Sequence, residues 1–255
     1  MKIAFFDSGV GGLTVLYDAM QKLPHEQYMY YADTVNVPYG TKSKKQIINY
    51  VDQAVAFIAE MEPKALVIAC NTATSVVIKQ LRADYDFPII GMEPAIKPAL
   101  QLHPSKKVLM CATKRTIKEK KLQNLIDELD AHDRVEKQAL QKLVKFAEAG
   151  DFDNSEIESY LTSKFNKINW NQFGSVVLGC THFLYFKELI QRIIPDDIDI
   201  IDGNAGTVNR LIDLVETNEE KNGAGLRFYE SGKEVEFGRF ETHLKKYAQI
   251  RGREL

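Results

Sequence analysis

Two short runs constrain this chain more than anything else in it: Val67-Ile68-Ala69-Cys70-Asn71-Thr72 and, 110 residues later, Val177-Leu178-Gly179-Cys180-Thr181-His182. Each is an apolar, β-branched segment that stops abruptly at a cysteine followed by small polar residues. A strand of that kind buries its apolar part and delivers the thiol to the carboxyl end of a sheet, where open α/β folds bind their ligands. Two such strands, in halves of similar length, predict a pair of thiols facing each other across one cleft. That arrangement suits the removal of a proton from one face of a carbon and the return of a proton to the other.

The rest of the composition narrows the setting. At 255 residues the chain is one large α/β domain or two of about 100 to 150 residues. A hydrophobic share of 45% and a charged share of 27% are ordinary for a globular protein. The net charge of −2 makes no electrostatic case for nucleic acid or an anionic membrane. No apolar stretch approaches the roughly 18 residues of a spanning helix, and the start, Met1 to Asp7, lacks the apolar region and cleavage site of a signal peptide. Three cysteines do not make a disulfide framework. The expected compartment is therefore the reducing cytoplasm, where a strand-end cysteine is more often catalytic than structural.

Strand-like runs alternate with amphipathic helical segments from end to end, the pattern of parallel sheets flanked by helices. Strands are expected over Lys2–Phe6, Tyr28–Tyr31, Leu66–Ala69 and Pro88–Gly91, with helices over Leu13–Leu23 and Lys45–Met61. The pattern then restarts: Lys107 to Thr113 parallels Lys2 to Asp7, and a long polar helix is expected from Thr116. Asp7 and Cys70 lie 63 positions apart, Thr113 and Cys180 67. We read this as a diverged duplication. It predicts an α/β fold of two similar lobes, each a mostly parallel sheet, related by a pseudo-two-fold with the site between them. Lobe one is expected over 1–94 plus 208–255 and lobe two over 95–207. Phe228 to Gly232 is expected to be a turn in the segment that crosses back to lobe one.

Asn71-Thr72 and Thr181-His182 are out of place in a packed core and right for holding a carboxylate. Cys111, without such neighbours, reads as core. His182 lies two residues from Cys180, so their contact depends on the turn; an imidazole there shifts a thiol toward thiolate. Asp7 has two readings, a helix cap or a carboxylate that orients a thiol proton. Gly9-Val10-Gly11-Gly12 fails the dinucleotide fingerprint at Thr14, but with Ser8 it offers an anion site at a helix start. Cys70, Cys180 and His182 lack the tight paired spacing of a zinc site. The basic run 114–121 reads as a solvated helix face.

Asp7-Ser8-Gly9-x-Gly11-Gly12-Leu13-Thr14, Pro38-Tyr39-Gly40, Ala69-Cys70-Asn71-Thr72-Ala73-Thr74, Ala112-Thr113-x-x-Thr116 and Leu178-Gly179-Cys180-Thr181-His182 together resemble the ordered motifs of bacterial glutamate racemases, which are cofactor-independent amino-acid racemases. The resemblance implies Cys70 and Cys180 as the two acid/base thiols, assisted by Asp7 and His182. It implies substrate contacts from Asp7, Ser8, Tyr39, Gly40, Asn71, Thr72, Thr113, Thr116, Thr181 and His182. It further implies L- and D-glutamate as substrates, no metal or cofactor, D-glutamate supply for the peptidoglycan wall, and a homodimer. Leu184 stands where the family pattern has proline, and Glu93 places an acid in a stretch that is often apolar. Another amino-acid racemase, a Cys-His hydrolase or a two-lobed amino-acid-binding protein are the rival readings. The hydrolase leaves the second cysteine unexplained, and the binding protein leaves both.

Overall fold

In the computed structural model, which describes residues 1–217 and 225–253, the chain forms two sheets with the same internal order. Four parallel strands build the centre of the first: β1 (Ile3–Asp7), β2 (Gln27–Ala32), β3 (Ala65–Ile68) and β4 (Ile89–Gly91), in spatial order β2-β1-β3-β4. The second has β5 (Lys107–Ala112), β6 (Val135–Ala139), β7 (Phe173–Leu178) and β8 (Asp199–Asp202), in order β6-β5-β7-β8 and again all parallel. The two orders match strand for strand, so the duplication read from the spacing appears as repeated topology. It places Asp7 and Cys70 at the same two strand ends in one lobe that Thr113 and Cys180 occupy in the other.

The central strands form for the reason parallel strands usually do: both faces are covered, so near-continuous apolar runs are stable there. All five residues of β1 and all six of β7 are buried. Helices α1 (Leu13–Lys22), α2 (Lys44–Ala59) and α3 (Asn71–Asp84) serve the first sheet. Ser43 and Gln46 start α2 with a reciprocal capping box. Three short helices, α4 (Ile96–Leu102), α5 (Lys114–Lys118) and α6 (Lys120–Glu128), surround β5. They are followed by α7 (Lys142–Glu148), α8 (Ser155–Phe165) and α9 (Lys187–Ile193). The long helix expected from Thr116 is broken: Glu119 is extended, at φ −76° and ψ 139°, between α5 and α6. Thr116 is buried rather than part of a solvated face, because its hydroxyl is taken into the cleft.

After α10 (Asn204–Leu214), which packs on α1, the chain returns to the first sheet. Phe228 to Glu230 is not a turn but the end of a strand, β9 (Gly225–Glu230), parallel to β2; the turn is Ser231-Gly232, leading into the antiparallel β10 (Lys233–Val235). Both turn residues have positive φ, 46° and 88°, as a two-residue hairpin of this hand requires. Residues 218–224 and 254–255, parts of the stretch expected to cross back, lie outside the described residues. Helix α11 (Glu241–Ile250) closes the chain against α1.

Phe228 fastens this return. It is 2% exposed, and its ring packs on Phe240, Phe237 and Tyr30 at centroid distances of 5.0, 6.0 and 6.2 Å. Phe228→Ala should therefore lower stability by about 3–5 kcal/mol, read as a drop in the urea midpoint at unchanged slope. A loss below about 1 kcal/mol would mean that β9 contributes little to the lobe.

Candidate active site

Strand β1 ends on Asp7, and β3 and β7 each end two residues before a cysteine, Cys70 and Cys180, where small and polar residues replace the apolar run. Cys70 is the N-cap of α3, its sulfur accepting the Ala73 N–H at 3.4 Å. Its other neighbour is the Ser8 hydroxyl, 3.6 Å away. Cys180 opens a 3-10 helix over Thr181–Phe186, which swings His182 back so that its Nδ1 lies 3.8 Å from the Cys180 sulfur. That turn supplies the Cys–His contact that strand geometry alone does not. Both thiols are 6% exposed, and all three cysteines are free. Cys111 lies in the core of β5, as expected.

Asp7 is not the cap of α1, which starts at Gly12 without a side-chain cap. One of its carboxylate oxygens accepts the Gly9 N–H at 3.0 Å and the Ser8 hydroxyl at 3.1 Å; the other accepts the Thr181 hydroxyl of the opposite lobe at 3.0 Å. Burial raises its pKa above the ordinary 3.8, against the pull of the nearby His182 charge and these hydrogen bonds. The expected anion site in the β1–α1 loop is filled from within the protein: Glu148, at the end of α7, accepts the Val10 N–H at 2.9 Å. The same Glu148 oxygen lies 2.6 Å from His182 Nε2.

Glu148 escaped the sequence reading. Its one signal is an acid in the last turn of a helix, where the macrodipole disfavours negative charge. With it, the two sulfurs have unlike surroundings. Burial, reinforced by the Asp7 charge, pushes Cys70 up to about 12, so it is a thiol at neutral pH. Burial works against a charged His182, but its bonds to Cys180 and Glu148 outweigh it and hold its pKa well above the ordinary 6.5. One sulfur thus faces a carboxyl group and the other an imidazolium.

The donors gather beside them. Thr72, from lobe one, lies 3.0 Å from Thr113 and 3.2 Å from Thr116, and those two are 3.0 Å apart: three buried hydroxyls in a closed ring. Asn71 is buried, and its amide oxygen has no hydrogen-bond partner. The Tyr39 hydroxyl is committed to Asp33 at 2.6 Å. What Tyr39 and Gly40 offer the cleft is therefore backbone. Leu184, in the proline position, is buried, and the turn holds through Phe183 N–H to Cys180 and Tyr185 hydroxyl to the Val10 carbonyl at 2.8 Å. Glu93 pairs with Lys121 at 2.7 Å on the outside. Among the described residues, no group of three His, Cys, Asp or Glu is placed to hold a metal ion.

Paired thiols near matching strand ends, each with polar or titratable neighbours and with buried hydroxyls beside them, are an arrangement that can take up and give protons. Consistent with this, residues 15–211 match the Asp/Glu/Hydantoin racemase family model, and the chain belongs to that family. Within it, the chain is 50% identical to the glutamate racemase of Halothermothrix orenii, over 98% of each chain. Its fold matches the glutamate racemase of Campylobacter jejuni with a TM-score of 0.82 at 29% identity, over 96% of this chain and 97% of that one. It also matches the glutamate racemase of Francisella tularensis in complex with D-glutamate, with a TM-score of 0.80 at 26% identity, over 100% and 94%.

Two outcomes follow from the charges. An ionised Asp7 is disfavoured by folding, so its stabilising contribution is full below pH 3.8 and is lost as pH rises through its raised folded value. Asp7→Asn, neutral throughout, should melt higher than the native protein at pH 8, with the gap closing toward pH 4. A gap that widens on acidification would contradict the assignment. Glu148→Gln removes one of the groups that keep the proton on His182. The alkaline limb of its pH–rate profile should move to lower pH, with kcat down on the order of 10²-fold.

Proposed function

We infer that this chain interconverts L- and D-glutamate, with Cys180 and Cys70 as the bases on opposite faces of the α-carbon. The observation that carries the reading is the pair of strand-end thiols in two sheets of identical order, each with its own proton partner. A hydrolase needs one nucleophile, and a binding protein needs no thiols; neither uses both. That the similar protein of Halothermothrix orenii is a glutamate racemase supports the choice of substrate.

From L-glutamate, the Cys180 sulfur takes the α-proton while the C–H electron pair moves into the α-carboxylate. The Cys70 S–H then gives its proton to the opposite face, which leaves Cys70 as thiolate and Cys180 as thiol; D-glutamate runs the sequence in reverse. His182, held by Glu148, compensates the charge at Cys180, and Asp7 with Ser8 orients the proton of Cys70. The developing enolate needs fixed donors in a water-poor cleft. The backbone at Tyr39-Gly40 fills that role together with a hydroxyl of the threonine ring, which turns its proton from its neighbour to the substrate as the carboxylate enters, while the unpaired Asn71 oxygen suits the substrate ammonium. No cofactor enters these steps.

We further propose that lobe one comprises 1–94 with 208–255 and lobe two 95–207, supported by β9 and β10 joining the first sheet. Among the described residues no helix is long and apolar enough to cross a membrane. Three free thiols agree with our placement of the protein in the cytoplasm, supplying D-glutamate to wall synthesis. A homodimer, implied by the resemblance, is to be read from sedimentation.

The test is L-glutamate alone, in deuterated water, after exhaustive dialysis against chelator. D-glutamate should appear with deuterium at the α-carbon while unreacted L-glutamate stays largely protiated. Cys70→Ser and Cys180→Ser should each lose on the order of 10²- to 10⁴-fold in rate. Label entering unreacted substrate as fast as product would show a single base serving both faces.

A further inference from the structure

Three glycines of lobe one act as sockets for side chains of lobe two. A β-carbon at Gly9 would strike the Glu148 carboxylate, and one at Gly11 would strike His182 Nδ1 and, beside it, the Thr181 hydroxyl. At Gly40 the colliding group is the Gln141 amide, with the Thr113 β-carbon 2.7 Å from the same point. The first two sockets hold groups of the reaction site. The third holds a residue that the mechanism above does not use.

Gln141 precedes α7, the helix that ends in Glu148. Its Oε1 accepts the Lys114 N–H at 3.3 Å, which fixes the orientation of the amide. Its Nε2 is buried and has no hydrogen-bond partner, a condition that costs stability unless a ligand relieves it. Gln141 touches neither thiol; its neighbours are Gly40, Thr113 and Lys114. It also forms part of the wall of a cavity of about 530 Å³ between the lobes, which carries Lys114, Lys142, Lys145 and Lys164 against one acid, Glu156. These lysines, mostly solvent-exposed, give this side of Gln141 a net positive charge, and on its other side lie Gly40 and Thr113, two of the residues expected to meet the substrate.

We propose that the Gln141 amide N–H binds the side-chain carboxylate of the substrate and thereby selects a five-carbon over a four-carbon dicarboxylic amino acid. This rests on the reading of the chain as a glutamate racemase. With the α-carbon fixed between the sulfurs, aspartate is one methylene too short, about 1.3 Å along the chain, to place its carboxylate at Nε2. A hydrogen bond to a charged group contributes about 1.5–3 kcal/mol, equivalent to about 10- to 150-fold in binding.

The experiment measures KM and kcat for L-glutamate and L-aspartate in the native protein, Gln141→Met and Gln141→Glu. Methionine keeps the length and volume and removes the N–H; glutamate as a side chain sets a carboxylate against the substrate's own. Gln141→Met should raise KM for L-glutamate at least about tenfold with kcat within about threefold, and leave KM and kcat for L-aspartate unchanged. Gln141→Glu should be worse on L-glutamate than Gln141→Met. A residue that merely props the lobes together would instead lower kcat for both substrates and the melting temperature with them. If the native protein turns over L-glutamate and Gln141→Met does so with an unchanged KM, the role of Gln141 is refuted and the racemase reading stands. If the native protein does not racemise L-glutamate, both fall.

Discussion

The close approach of lobe-one backbone to lobe-two side chains is the constraint on which the site depends. Gly9 and Gly11 lie in the β1–α1 loop against Glu148 and His182, at separations no side chain could share. Without a β-carbon in the way, Val10 can bond Glu148 through its N–H and Tyr185 through its carbonyl. Asp7 reaches Thr181 across the same seam. The glycine-rich loop resembles a phosphate cradle in composition, yet its amides are spent on carboxylates of the protein. The loop is thus a latch between lobes, and the polar groups it buries are matched by partners on the far side, as a low-dielectric seam requires.

The same seam makes the two halves of the site chemically unequal although their topology is equal. Duplication supplies two thiols at equivalent strand ends. Divergence then gave one a carboxyl and a hydroxyl, and the other an imidazole backed by a glutamate. A base and an acid must coexist for one proton to leave one face of the substrate as another arrives at the opposite face, and two identical thiols in identical surroundings would not divide those roles. His182 keeps its proton in a buried place because Cys180 and Glu148 surround it. It supplies the positive charge that the cleft, with Asp7 and Glu148 both close, otherwise lacks.

Much of this was legible in the chain because the relevant signals are local. The central strands are uninterrupted apolar runs, and their abrupt ends at Asp7, Cys70, Thr113 and Cys180 fixed which residues share an edge. What was not legible depended on partners distant in sequence. Strand β6, Val-Glu-Lys-Gln-Ala, has no apolar alternation; it lies at a sheet edge, held by β5 rather than by its own composition. The break at Glu119 is invisible to periodicity, since Lys and Glu surround it on both sides. Glu148 and Gln141 carry no motif, and they matter because glycines more than a hundred positions away leave room for them. The motif around Tyr39 does not show that Asp33, six residues earlier, takes its hydroxyl.

The ring of Thr72, Thr113 and Thr116 has one more consequence. In a closed circuit of three hydroxyls each oxygen both gives and receives a hydrogen bond, and the circuit can run in either sense, with Thr113 Oγ1 accepting the Thr116 N–H as well. Amide or guanidinium donors have their polarity built in; a threonine circuit does not. An enzyme that must seat two mirror-image molecules in one cavity gains from such a surface, because whichever hydroxyl the carboxylate meets can leave the circuit and turn its O–H outward without moving a heavy atom. Handedness is left to the rigid groups at the sulfurs, while the part of the wall that must tolerate both hands is built from rotors.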